Sequence, residues 1–117
     1  MNHIFSQHSI NSGHLLENLV FTGLRRITQD IFYYRTKNAR EGDFLVIMPD
    51  RSRMLLQVCE SLADESVRKR ELADLKEAMA ELSINKAFII TRNEEDQIQS
   101  GDNTIFITPI WRFLLNT

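Results

Sequence analysis

DFLVIMPDRSRMLLQVC, residues 43–59, decides the fold. Two apolar runs, Phe44 to Met48 and Met54 to Cys59, flank a PDRSR segment rich in turn-forming residues. They read as neighbouring antiparallel strands whose middle residues are buried. Upstream, Ile31-Phe32-Tyr33-Tyr34-Arg35 is a further β-rich run, which KNAREG turns back into Phe44. The first half is thus expected to form a three-stranded meander.

Downstream, Asp64 is placed to cap a helix reaching Leu82, with Val67, Leu72, Leu75, Met79 and Leu82 on its apolar side. The short SIN connection leads into KAFIIT, residues 86–91. A strand, a long helix and a second strand in that order imply parallel pairing of residues 55–59 with KAFIIT. The polar run RNEEDQIQSGDN reads as a connection, with Gly101 in a turn, before a last strand, TIFIT. Pro109 then starts a short helix containing Trp111, Phe113, Leu114 and Leu115. Before the meander, Leu16, Leu19, Val20, Leu24 and Ile27 give a helix over residues 12–27, with Asn11 or Ser12 as its cap. The fold class is α/β, a mixed sheet flanked by helices.

A chain of 117 residues supports one domain. Residues 1–11 are expected to be a flexible N-terminal segment and 12–117 a single α/β domain. Its lone cysteine excludes an internal disulfide framework and points to a reducing, cytoplasmic setting. No apolar run is long enough for a membrane span, and the start lacks an export signal. A formal charge of -2 excludes a diffuse basic nucleic-acid binder. Arg25, Arg26, Arg35, Lys37 and Arg40 nevertheless concentrate near the first helix end and hairpin, where phosphate contact is an option.

Several chemistries find no motif. There is no GxxxxGK[ST] loop for ATP phosphates, no GxGxxG, no CxxC and no GxSxG elbow. His3, His8 and His14 do not follow zinc-ligand spacing and read as ordinary polar residues.

One constellation does carry chemistry. Asp43 begins an otherwise apolar strand, where a buried carboxylate needs a hydrogen bond, an opposite charge or a metal. Gln57 and Cys59 share a face of the next strand. Glu17, one turn from Val20 and Phe21, is positioned to turn toward the sheet. Two carboxylates and an amide oxygen from Glu17, Asp43 and Gln57 make a hard oxygen set suited to Mg²⁺ or Mn²⁺.

LLENLVFTGLRR, IFYYRTKNAREGDFLVIM, LLQVCESLADESVRKRELADLKEAM and FITPIWRFLL resemble the C-terminal domain of prokaryotic AAA+ type ATP-binding proteins. That domain is similar to the PD-(D/E)XK, or restriction-endonuclease-like, nuclease superfamily. The resemblance implies a restriction-endonuclease-like mixed sheet and an ATPase domain preceding the module. It places Glu17 at the acidic position of the first helix, Asp43 at the metal-binding aspartate, and Gln57 at the Glu/Asp of the (D/E)XK element. Cys59 stands where active members carry lysine. An amide there brings no negative charge, and a thiol brings neither the reach nor the charge of an ammonium.

The expected function is therefore a catalytically degenerate nuclease-like module. It would serve as an interaction or nucleic-acid-binding domain, partnered by an ATPase domain in cis or by another protein. The alternatives are Mg²⁺- or Mn²⁺-dependent DNA phosphodiester hydrolysis with a displaced base, Lys69, Arg70 or Lys76, and a homo-oligomerisation module.

Overall fold

The computed structural model describes residues 12–36 and 43–116. The expectations for residues 1–11, for Asn11 as a cap and for the KNAREG turn fall outside the described residues. In chain order the elements are α1 (Ser12–Arg25), β1 (Ile31–Tyr34), β2 (Asp43–Ile47), β3 (Arg53–Val58) and α2 (Glu65–Leu82). These are followed by β4 (Lys86–Thr91), β5 (Asp96–Ser100), β6 (Asn103–Pro109) and α3 (Ile110–Leu115).

The strands form one mixed six-stranded sheet in the order β1-β2-β3-β4-β6-β5. The meander is antiparallel, with Phe32 opposite Leu45 and Leu45 opposite Leu55. From β3 the pairing becomes parallel, first to β4 with Gln57 aligned with Ile89, then from β4 to β6. Helix α2 makes the crossover between β3 and β4. Its start is fixed as the sequence implies: Asp64 accepts from the backbone N–H of Ser66 at 2.9 Å and of Val67 at 3.3 Å. It ends at Ser83 in the left-handed region, φ 56°, whose N–H closes the last turn.

Strand alternation sorts the core into two layers. Leu55, Ile89, Ile105 and Ile107 face α2 and pack with Leu75, Ala78 and Met79. Val46, Leu56 and Ile90 face the other way, against Val20 and Leu24 of α1, with Ile110 and Phe113 of α3 beside them. No helix among the described residues is long and apolar enough to cross a membrane.

The end of α1, the end of β3 at Val58 rather than Cys59, and the stretch before β6 differ from the sequence reading. Helix α1 stops at Arg25 rather than residue 27, because the Ile27 and Thr28 N–H groups fold back onto the Leu24 carbonyl to close the helix. The polar run before β6 contains a strand, β5, that pattern alone does not reveal. Its DQIQS sequence has only Ile98 partly buried, and it pairs antiparallel with β6 along one edge of the sheet. Gly101, at φ +62°, occupies the first position of the two-residue turn joining them, as this hairpin geometry prefers. The connection entering β5 is fixed by Glu94, which accepts from Leu62 N–H at 2.7 Å and Ser61 Oγ at 2.8 Å.

Leu56 is fully buried between α1 and the sheet. Leu56→Ala is expected to lower the unfolding free energy by about 2–5 kcal/mol, measured as a shift in the urea midpoint. An unchanged midpoint would contradict its place at the centre of that layer.

Candidate functional site

The β2–β3 register continues one step past the Phe44–Leu56 pair to bring Asp43 opposite Gln57. Both side chains leave the sheet on the α2 side, as Leu45 and Leu55 do. Both residues are buried, Asp43 to 5% exposure and Gln57 to 4%.

The third member of the site comes from α2. Glu71 lies one turn before the buried Leu75, so its carboxylate is turned to the sheet, with 12% of the side chain exposed. Gln57 Nε2 donates to Glu71 Oε1. Arg70 Nη2 meets the other carboxylate oxygen at 3.3 Å. Gln57 Oε1 is buried and has no hydrogen-bond partner among the described residues. A buried amide oxygen left in this way is costly unless something satisfies it.

Asp43 bears the electrostatic consequence. Burial pushes its carboxyl from an ordinary 3.8 up to about 7, and the charges of Glu71 and Asp74 push it in the same direction. The acidic side of α2 continues past this point. Glu77 accepts from the buried Thr36 hydroxyl at 3.1 Å, and Glu81 accepts from the Tyr34 hydroxyl. That last bond, followed by burial and then by the charges of Glu81 and Glu77, holds the Tyr34 phenol above its usual range. Polar groups of β1, β2 and β3 thus meet a row of carboxylates on one helix.

Of the other expected site residues, Cys59 packs on the α2 side of the sheet as Gln57 does, and Glu17 does not. Cys59 follows β3, is half-buried, and directs its Sγ to the Ser61 carbonyl at 3.3 Å. Glu17 rides on α1, the helix packed on the opposite face of the sheet. The carboxylates that act on Asp43 come from α2 instead. Of the three basic residues on α2 considered as substitutes for a lysine, Arg70 is drawn to Glu71, while Lys69 and Lys76 are exposed. Among the described residues, no group of three His, Cys, Asp or Glu side chains is arranged to hold a metal ion.

Glu71 is the residue that the sequence reading missed. Its signal was its place four residues before Leu75, on the side of the helix read as apolar.

Residues 12–113 match the model of a family described as a domain of unknown function, DUF4143. The chain belongs to this family. It is also 34% identical over 117 residues to the uncharacterized protein MJ1544 of Methanocaldococcus jannaschii, an alignment covering 92% of this chain and 26% of that protein. The chain therefore spans about a quarter of this relative's length. No solved structure matches.

In this DUF4143 domain the raised Asp43 has a definite linkage sign. Below about pH 4 the carboxyl is protonated in both the folded and the unfolded chain. Between 3.8 and about 7 only the folded chain retains the proton, so this stabilisation is lost as pH rises through that window. Asp43→Asn should remove this part of the pH dependence, making the variant relatively more stable at about pH 8 than at about pH 5. Urea unfolding of both proteins at the two pH values checks this, and parallel curves would contradict a raised Asp43.

Proposed function

We propose that this domain is a nuclease-like module without hydrolytic activity, acting as an interaction domain within AAA+ type ATP-binding proteins, in contact with an ATPase domain in cis or a protein partner. On this reading the fold is restriction-endonuclease-like and the Asp43–Gln57 face is the remnant of its phosphodiesterase site. What supports the reading above all is the hydrogen bond from Gln57 Nε2 to Glu71. An amide sits at the position of a charged ligand, with its donor rather than its acceptor turned toward the neighbouring carboxylate.

Phosphodiester hydrolysis at such a site requires negative ligands gathered around a divalent ion and a cation facing the scissile phosphate. The described residues do not fit that group. Gln57 brings no charge, Cys59 turns to a backbone carbonyl, and Asp43 is pushed toward its neutral form. No step through a metal follows from this arrangement. The carboxylates of α2 would also repel a bare phosphate backbone, so protein contact is favoured over nucleic acid on this face.

The purified domain, incubated with Mg²⁺ or Mn²⁺ and either supercoiled plasmid or single-stranded DNA, is expected to show no cleavage above that of an Asp43→Ala variant prepared in parallel. Metal-dependent cutting that disappears in the variant would overturn the non-hydrolytic assignment and establish the phosphodiesterase alternative.

A further inference from the structure

Helix α2 sets a row of carboxylates on the side that meets the meander. Glu71, Asp74 and Glu77 are half-buried there, and Glu81 follows one turn on. At 1.5 Å per helical residue the row from Glu71 to Glu81 is about 15 Å long. On the sheet side it takes neutral donors: Gln57 Nε2 for Glu71, the Thr36 hydroxyl for Glu77 at 3.1 Å and the Tyr34 hydroxyl for Glu81. A neutral donor satisfies an oxygen and leaves its charge in place. Asp43 adds another carboxyl beside the row, and burial, then the charges of Glu71 and Asp74, hold it above the usual range. The basic side chains near this part of α2 stand toward solvent. Arg70, 43% exposed, meets Glu71 at 3.3 Å, and Lys69 and Lys76 are exposed.

A second, independent observation points to a missing donor. Gln57 is 4% exposed and is aimed into the row by its bond to Glu71, yet its Oε1 has no hydrogen-bond partner among the described residues. A buried amide oxygen in this state is costly until a donor reaches it. Beside Glu71 and Asp74, that donor is favoured if it also carries positive charge. No three His, Cys, Asp or Glu side chains among the described residues gather to hold a metal ion. An ammonium asks less of the site. It needs acceptors within reach but no fixed coordination geometry, and its three donors can be shared between Gln57 Oε1 and the carboxylates around it.

We propose that this row binds an extended, lysine-rich segment of a partner protein, with one lysine ammonium donating to Gln57 Oε1 and further lysines facing Glu77 and Glu81. An extended chain rises about 3.3 Å per residue, so about five residues span the row, with alternate side chains turned to it. A lysine stem is apolar along its methylenes, which suits it to pass half-buried carboxylates and deliver its charge to an acceptor beneath them. The proposal rests on the interaction reading above and deepens it by naming the partner's chemistry, and it is tested without nuclease activity.

The test uses the full chain with isotope-labelled glutamine side chains, the Gln57 amide signals being those absent from a Gln57→Met variant. The probes are a peptide of about seven residues alternating lysine with serine, a twin alternating glutamate with serine, and spermidine. The lysine peptide is expected to shift the Gln57 signals, to bind at least about tenfold more tightly than its twin, and to bind more tightly than spermidine. Glu71→Gln combined with Asp74→Asn should weaken it by at least about tenfold. Glu65→Gln combined with Asp102→Asn, which removes the same charge from exposed positions elsewhere, should leave its affinity unchanged. Urea unfolding checks that each variant is folded, and Asp74→Asn alone carries the comparison if the first pair is not. Unmoved Gln57 signals, or equal weakening by both pairs, would overturn the proposal. So would spermidine binding as tightly as the peptide, which would assign the row to a small polyamine. Gln57 signals that move on Lys37→Gln with Arg40→Gln, with no peptide added, would assign it to the chain's own cations and overturn it as well. None of these outcomes bears on whether the Asp43 face is hydrolytic, which the DNA-cleavage comparison decides separately.

Discussion

The parallel pairing of β3 with β4 carries a geometric demand that an antiparallel hairpin does not. The chain must return to the start of the sheet before β4 can begin, and here it does so through the 18 residues of α2. That return covers one face with a single long helix, and it places Glu71 and Asp74 over the strand positions occupied by Asp43 and Gln57. It also leaves the opposite face to α1 and the short α3. The polar site is thus a consequence of that crossover.

The polar site is governed by a conflict between burial and charge. Asp43 is removed from water and set near two further carboxylates, so its neutral form is favoured well above the usual range for an aspartate. Glu71 is relieved by an amide donor and by Arg70. A hydrolytic centre resolves the same conflict with a bound cation and a lysine. Here a carboxyl pushed toward its neutral form and an amide hydrogen bond do so, which supports the non-hydrolytic reading proposed for this site.

Much of this was legible in the residues themselves. Asp64 announced the start of α2, and alternation along 43–59 placed Asp43 and Gln57 on buried strand positions. The parallel β3–β4 pair followed from the spacing between apolar runs. Strand β5 escaped because an edge strand with one partly buried residue leaves almost no hydrophobic pattern to detect. Glu71 escaped for a different reason. On a helix rich in charge of both signs, composition cannot distinguish the carboxylate turned inward from those left in water.

By itself, then, the sequence determined the order and kind of most elements, the mixed character of the sheet, and the identity of the amide in β3 and of the thiol just after it. These are properties of local periodicity, turn chemistry and residue type, which act over a few neighbouring residues. Only the tertiary structure decided that Asp43 faces α2 rather than α1, that Glu71 meets Gln57, and that Phe88 stacks against Phe106. Those outcomes depend on the rotation of each helix about its axis and on how far it spreads across the sheet. Both are fixed by packing between residues far apart in the chain.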